Sequence, residues 1–426
     1  MSTAPAAPED VLVTGYGVFT GHGFGEEALR DGVFAGRAAF RAVERFDTGR
    51  FRDGYAAAHG ADGPPLPGTA PDPRRTPSQR EALVACGRAA LDMAGLTGPR
   101  PADMLIGTQG DHRGVTAFWS GAHGAPDAPA TGGAPASGGT PATGGAPGAG
   151  RLSDIAETLP AALTDLVAGD LGLTGRRMAF VNACVASANA LLHGARLIRS
   201  GLADTVVCAG AYLVEQEFFA KFDAGRAFAT DGRVRPFSAG RTGLLLGDGA
   251  AALVLESGSR VRARGAEPLG RVAGWGMASD AFHVCRPHPR GRGLAAAMTA
   301  ALASARVAPE DIGYVNAHGT GTRINDTAET QALHRAFGSA AGSLAVSSTK
   351  GTTGHMLEGS GAVEAVIGLY ALRHGLLPPT AGHDTPDPDC DLDWIPNEPR
   401  EAAVRRVLTT NAAFGGANTA ILLERP

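Results

Sequence analysis

The chain has 426 residues, 44% of them apolar and 19% charged, with a formal net charge of −4. That length accommodates two to three domains or one large duplicated one. Without a basic excess, and with Arg pairs such as Arg74-Arg75 and Arg405-Arg406 standing alone, nucleic acid is excluded as an expected partner.

The five cysteines, Cys86, Cys184, Cys208, Cys285 and Cys390, lie far apart and form no CxxC pair. This argues against a disulfide framework or a zinc site and for a reducing, cytoplasmic setting. The opening "MSTAPAAPEDVLVTGYG" has no basic or apolar leader pattern, and no apolar run approaches the ~18 residues of a membrane span. No membrane association is expected.

In chain order, Val11, Leu12 and Val13 form a short apolar run before a glycine-rich stretch, and Glu26 to Phe34 has helical spacing. The segment reads as strand, turn and helix, with His22 as a surface histidine. The same α/β grammar recurs at "DMLIGTQG", "MAFVNAC", "TVVCAG", "AALVLE", "IGYVNAHG", "LAVSSTKG", "VLTTNAAFGG" and "TAILLE". Between them, Gly121 to Gly150 repeats ATGGAP-type hexads with almost no apolar bulk. It reads as a mobile surface insertion without chemistry. Two halves of the chain each carry a strand, a reactive residue at its end, a helix and a further strand, Met178 to Gly210 and Ile312 to Ser347, which suggests a duplication.

Four segments carry reactive groups. In "MAFVNACVASANALLHGARLIRSG" a strand delivers Cys184 to the first turn of a helix whose apolar positions Val185, Ala188, Leu192 and Ala195 recur at helical spacing. The helix N-terminus is expected to lower the thiol pKa and to stabilise an oxyanion. Free cysteine is also among the most buried residue types, so packing and catalysis both stay open here. In "NAHGTGTRINDTAET", His318 follows a strand on a Gly/Thr-rich loop, where histidines are usually solvated. Asp326 with Glu329 has capping-box spacing. Lys350 and His355 lie on a glycine-punctuated turn before a helix starting near Gly359, placed to bring a charge and a neutral donor to one pocket. Phe414, ahead of a glycine pair between two strands, suggests a close backbone approach to a ligand, a mobile gate or an ordinary turn.

Taken together and in order, these segments resemble a β-ketoacyl synthase of the fatty-acid and polyketide type, in the thiolase superfamily. "VLVTGYGVFTGHG", "RPFSAGRTGLLLGDGAAALVLE" and "SDAFHVCRPHPRGRG" extend the resemblance over nearly the whole chain. It implies an α/β, thiolase-like fold of duplicated βαβαβ-type halves in α-β-α-β-α layers, divided as 1–257 with the nucleophile and 258–426 with the histidines.

The resemblance also implies roles. Cys184 is the acylated nucleophile, His318 and His355 are the histidine pair, and Lys350 is the lysine of the same site. Asp326 and Glu329 stand behind these residues. The backbone N–H groups of Cys184 and Phe414 form the oxyanion hole, and Phe414 gates the acyl pocket. The Cys-His-His set favours the elongating branch.

The implied reaction is decarboxylative Claisen condensation with a malonyl-type extender on acyl carrier protein. No cofactor is bound, because phosphopantetheine arrives on the carrier, and the chain forms a homodimer or a heterodimer with a ketosynthase-like paralogue. Ester or amide formation from acyl-Cys184, and a non-catalytic chain-length partner role, are the rival readings. The sequence departs from the family at Asn182, Val185 and Ala186 around the cysteine. It departs again at Ala412-Ala413 before Phe414, where an alanine in place of glycine is costly if φ must become positive.

Overall fold

A computed structural model describes residues 9–60, 63–69, 76–115 and 152–426, so the expected insertion at 121–150 lies outside the described residues. Strands β1 (Val11–Thr20), β2 (Asp103–Gly107), β3 (Arg177–Phe180), β4 (Thr205–Tyr212) and β5 (Gly249–Ser257) come from the first half of the chain. Strands β6 (Gly270–Ser279), β7 (Tyr314–Asn316), β8 (Ala345–Ser347), β9 (Arg406–Ala412) and β10 (Ala417–Glu424) come from the second. The helices that matter here are α1 (Gln79–Met93), α2 (Pro160–Asp170), α3 (Ala186–Arg199), α4 (Gln216–Ala224), α5 (Arg292–Ala305), α6 (Arg323–Phe337) and α7 (Ser360–His374).

The strand order is β3-β2-β4-β5-β1 in one half and β8-β7-β9-β10-β6 in the other. The halves join where β1 pairs with β6 at Leu12 and Val13. In each half the first three strands are mutually parallel and the last two pair antiparallel. Identical order and direction make this a duplicated α/β fold. The correspondence differs from the one expected: the strand before Cys184 (β3) matches the strand before Lys350 (β8), while the strand before His318 (β7) matches β2. Every βαβ unit has the same local pattern, so only pairing order reveals which units are equivalent.

Three apolar clusters define five layers. The central one packs α3 (Leu191, Leu192, Ile198) and α7 (Val363, Val366, Ile367) between Val11, Cys208 and Leu253 on one side and Val407, Ile421 and Leu423 on the other. A second cluster packs α1 and α2 outside the first half of the sheet, and a third packs α5 and α6 outside the second. Helix α7 is buried continuously from Ser360 to Leu372, as its apolar sequence on all sides requires. It crosses α3 so closely that a Cβ at Gly361 would lie 2.6 Å from the Ala188 backbone nitrogen.

Strand β1 runs on through the glycines read as a turn. Gly15 and Gly17 give room for α1, because a Cβ at either would collide with the carbonyl of Ala90 or Cys86. Strand β6, which the sequence pattern did not single out, repeats the device. Gly274 and Gly276 flank Trp275 as Gly15 and Gly17 flank Tyr16, and a Cβ there would strike the carbonyls of Ala301 and Ala297 on α5. This Gly-aromatic-Gly pair is a residue-level trace of the duplication.

Candidate active site

After β3 the chain makes a 3-10 turn, Ala183–Val185, before α3 begins. Ala183 has φ 53°, a costly conformation for a residue with a Cβ, and it turns Cys184 inward. Cys184 is 6% exposed, Val185 is buried and Asn182 is exposed. The equivalent turn before α7, Leu357–Gly359, again opens on a positive-φ residue, Leu357 at 38°. Glu358 therefore occupies in the second half the place that Cys184 occupies in the first, and the two turns pack together.

His355, just after Gly354 at φ 67°, directs its Nε2 to within 3.1 Å of Cys184 Sγ and its Nδ1 to within 3.2 Å of Ser360 Oγ. If the Ser360 hydroxyl donates to Nδ1, the ring proton sits on Nε2, facing the sulfur. His318 is 3% exposed, not solvated, and its ring centroid lies 5.2 Å from that of His355 at 83°. Its loop is pinned by Glu329, which accepts from the His318 N–H (2.8 Å), the Gly319 N–H (2.7 Å) and the Thr410 hydroxyl (3.0 Å). Burial and the Lys350 charge push both imidazoles well below the ordinary histidine range, with each neutral at pH 7.

Lys350 Nζ donates to Glu364 Oε1 at 2.5 Å, and Asn411 Nδ2 donates to Oε2 at 2.5 Å. Sequence reading missed Glu364 and Asn411. The available signal was one carboxylate inside the apolar run "GAVEAVIGLYAL", a charge that a buried helix carries only with a partner.

Two expectations about local chemistry fail. Asp326 is not an N-cap: α6 starts at Arg323 behind Thr322, and Asp326 lies one turn inside. There its carboxylate accepts from the Phe237 N–H (2.8 Å) and the Gly321 N–H (3.3 Å), with Arg241 Nε at 3.6 Å, and burial pushes its pKa up to about 7. The Cys184 thiol is not acidified. Burial, reinforced by Glu358, pushes it up to about 12 against the opposing pull of Lys350 and its own backbone N–H. Desolvation of a thiolate raises its pKa against the pull of a helix terminus.

Phe414 is 53% exposed and stacks on Phe222 of α4 at 5.9 Å. Its turn, Phe414–Gly416, follows β9, and the ends of β9 and β10 lie against the Cys184 turn. Positive φ falls on Gly415 (82°) and Gly416 (79°), while Ala413 is extended at −132°. The anticipated strain at Ala413 is absent in this conformation. His22 is half-buried rather than exposed: it donates to the Thr352 carbonyl, its ring lies against Gly32, and burial lowers its pKa to about 4. Among the described residues, no group of three or more His, Cys, Asp or Glu is placed to hold a metal ion, and no helix is long and apolar enough to cross a membrane.

Residues 8–260 match the family model "Beta-ketoacyl synthase, N-terminal domain" and residues 269–384 match "Beta-ketoacyl synthase, C-terminal domain". The tetracenomycin polyketide synthase ketoacyl synthase alpha subunit of Streptomyces glaucescens is 35% identical, across 99% of this chain and 98% of its own. The 3-oxoacyl-[acyl-carrier-protein] synthase 2 of Coxiella burnetii is 32% identical, across 97% and 98%. Among solved structures, the ishigamide ketosynthase/chain length factor superposes with a TM-score of 0.85 at 31% identity, covering 99% of this chain and 100% of its own.

Proposed function

Because the chain belongs to the β-ketoacyl synthase family, we propose that it condenses an acyl chain held on Cys184 with a malonyl-type extender carried by acyl carrier protein. The observation that carries this reading is the neutral cysteine–histidine couple, Sγ to Nε2 at 3.1 Å, beside a second buried neutral imidazole. The sulfur of Cys184 attacks the acyl thioester carbonyl, the carbon–sulfur bond to the carrier breaks, and the Cys184 proton passes to the departing carrier sulfur, which leaves as a thiol. Backbone N–H groups of Cys184 and Phe414 receive the oxyanion, a contribution of roughly 3 kcal/mol per donor. With the extender bound, His318 and His355 donate to its thioester carbonyl as carbon dioxide leaves. The resulting enolate carbon then bonds to the acyl carbon and expels Cys184 Sγ.

Burial, with the Lys350 charge, keeps both imidazoles neutral, and Glu364, itself held by Asn411, pairs with the Lys350 ammonium. Glu329 and Asp326 fix the His318 loop. Phosphopantetheine reaches the site on the carrier, with no further cofactor. The two matched segments, 8–260 and 269–384, support two halves, one with the nucleophile and one with the histidines, and the expected division at 257/258 lies three residues before the end of the first.

A paired state, with itself or with a ketosynthase-like paralogue, is supported by edge strand β3, where Met178 and neighbouring Val181 are exposed, and by the ketosynthase/chain length factor pairing in the name of the ishigamide structure. A cytoplasmic location accords with five unbridged cysteines.

Intact-mass measurement after incubation with a panel of acyl-carrier proteins tests the reading. It requires an acyl adduct on Cys184 that Cys184→Ala abolishes, and carbon dioxide release from malonyl-carrier that depends on His318 and His355. Adducts elsewhere, or decarboxylation indifferent to both histidines, would refute it.

A further inference from the structure

Residues from three parts of the chain meet at Arg241, which is buried ahead of β5. One terminal nitrogen donates to the Ser238 carbonyl at 2.7 Å and to Asp387. The other donates to the Thr327 hydroxyl at 3.1 Å and the Arg323 carbonyl at 3.5 Å, both in the first turns of α6. Its Nε faces the buried Asp326 carboxylate at 3.6 Å. A planar fork held at both ends keeps its charge against that carboxylate.

Asp326 in turn reaches the His318 loop by two routes. Oδ1 accepts directly from the Gly321 N–H at 3.3 Å. Oδ2 accepts from the N–H of Phe237 at 2.8 Å, a residue kept at the costly φ of 60° by such contacts. The Phe237 ring, stacked on Trp394 at 3.5 Å, lies so close to Gly319 that a Cβ there would come within 2.6 Å of it. Gly319 has φ 27° and directly follows His318, so its backbone fixes where the imidazole stands.

Burial pushes the Asp326 pKa up to about 7, and the Arg241 charge opposes that rise. Without the guanidinium, the buried acid takes up a proton in preference to remaining a stranded anion. The protonated oxygen then donates rather than accepts, and one of the two bonds, to Gly321 or to Phe237, is lost. Neither bond involves the Cys184 turn, Ala183–Val185.

We infer that Arg241 is a positioning residue for His318, acting through Asp326, and that it serves activation of the extender rather than acylation of Cys184. The inference rests on the condensing reading and adds a residue to its decarboxylating step.

The test compares, within each protein, the rate of carbon dioxide release from malonyl-carrier with the rate of Cys184 acylation from octanoyl-carrier, the latter followed by intact mass. Arg241→Met is expected to lower that ratio about ten- to a hundredfold, the effect of a displacement of roughly 1 Å at a reacting group. Arg241→Lys, which keeps the charge without the fork, is expected to recover part of it. Asp326→Asn keeps one acceptor and loses the other, and should lower the ratio by a similar factor. Adding Arg241→Met to Asp326→Asn should then lower it by no more than about twofold further. Unfolded protein lowers both rates alike and leaves the ratio unchanged, and Arg241→Gln takes the place of Arg241→Met if the latter yields no folded protein. A ratio within about twofold of wild type, or single effects that multiply in the double variant, overturns the inference while the condensing reading stands. A wild-type protein that forms no Cys184 adduct sinks the condensing reading, and this inference with it.

Discussion

Replacing Lys350 by methionine removes a cation that the fold encloses completely. Its Nζ lies 2.5 Å from Glu364 Oε1, with the two side chains 1% and 0% exposed. Deleting one partner of a buried pair typically costs about 3–5 kcal/mol, because the remaining charge is stranded in a medium that solvates it poorly. Asn411 still donates to Glu364 at 2.5 Å and offsets part of this, so a loss of about 3 kcal/mol is expected for Lys350→Met.

In Lys350→Met with Glu364→Gln, the carboxylate that Lys350 paired is removed with it, and the double variant should be more stable than Lys350→Met alone. Denaturant or thermal unfolding at one fixed protein concentration reads this order. A second readout separates charge from packing. Lys350 helps to depress both imidazoles, so its loss raises their pKa values and moves the acid limb of malonyl decarboxylation to higher pH. A Lys350→Met protein within about 0.5 kcal/mol of wild type, or an acid limb that stays in place, would refute the reasoning.

Alkylation of Cys184 by iodoacetamide should accelerate about tenfold per pH unit from pH 7 to 10 without levelling, as for a thiol held near 12. A plateau by pH 8 would mean that Lys350 and the helix terminus outweigh burial. For Glu358, burial raises the pKa to about 7, so the folded state holds a proton that the unfolded chain releases near ~4.3. The sign follows: wild-type stability falls as pH rises from about 4 through 7. The melting advantage of Glu358→Gln over wild type should accordingly grow from pH 5 to pH 8, reaching at most about 3 kcal/mol, and a constant difference across that range would contradict it. Gly276→Ala should cost more than about 3 kcal/mol or prevent folding, since its Cβ strikes the Ala297 carbonyl. Gly169→Ala in α2, with open space around it, should leave stability equal or raise it by up to about 1 kcal/mol; thermal melts of the pair decide this.

The residues of the site and the strands that end on them were legible in the linear pattern. Apolar runs broken by glycine mark β2 to β5 and β7 to β10, and the reactive side chains cluster at their ends because a strand's C-terminal turn is where backbone constraint relaxes. Cys184, His318, Lys350, His355 and Phe414 stood out in that way, and the ordered resemblance to the family, not the pattern, supplied their roles.

What remained hidden depends on contacts between distant segments. Glycines 15, 17, 274 and 276 look like turn residues, and only the helices lying across them make them strand residues. Asp326 and Glu329 look like a cap, yet one faces Arg241 and the other holds the backbone of His318 and Gly319. The sequence by itself determined the α/β class, the order of the elements and the chemical types in the site. Tertiary structure alone decided that Cys184 is buried as a thiol, that both histidines are neutral, and that Glu364, held by Asn411, pairs with Lys350. Ionisation depends on exclusion of water and on neighbouring charge, and both are set by segments brought together from opposite halves of the chain.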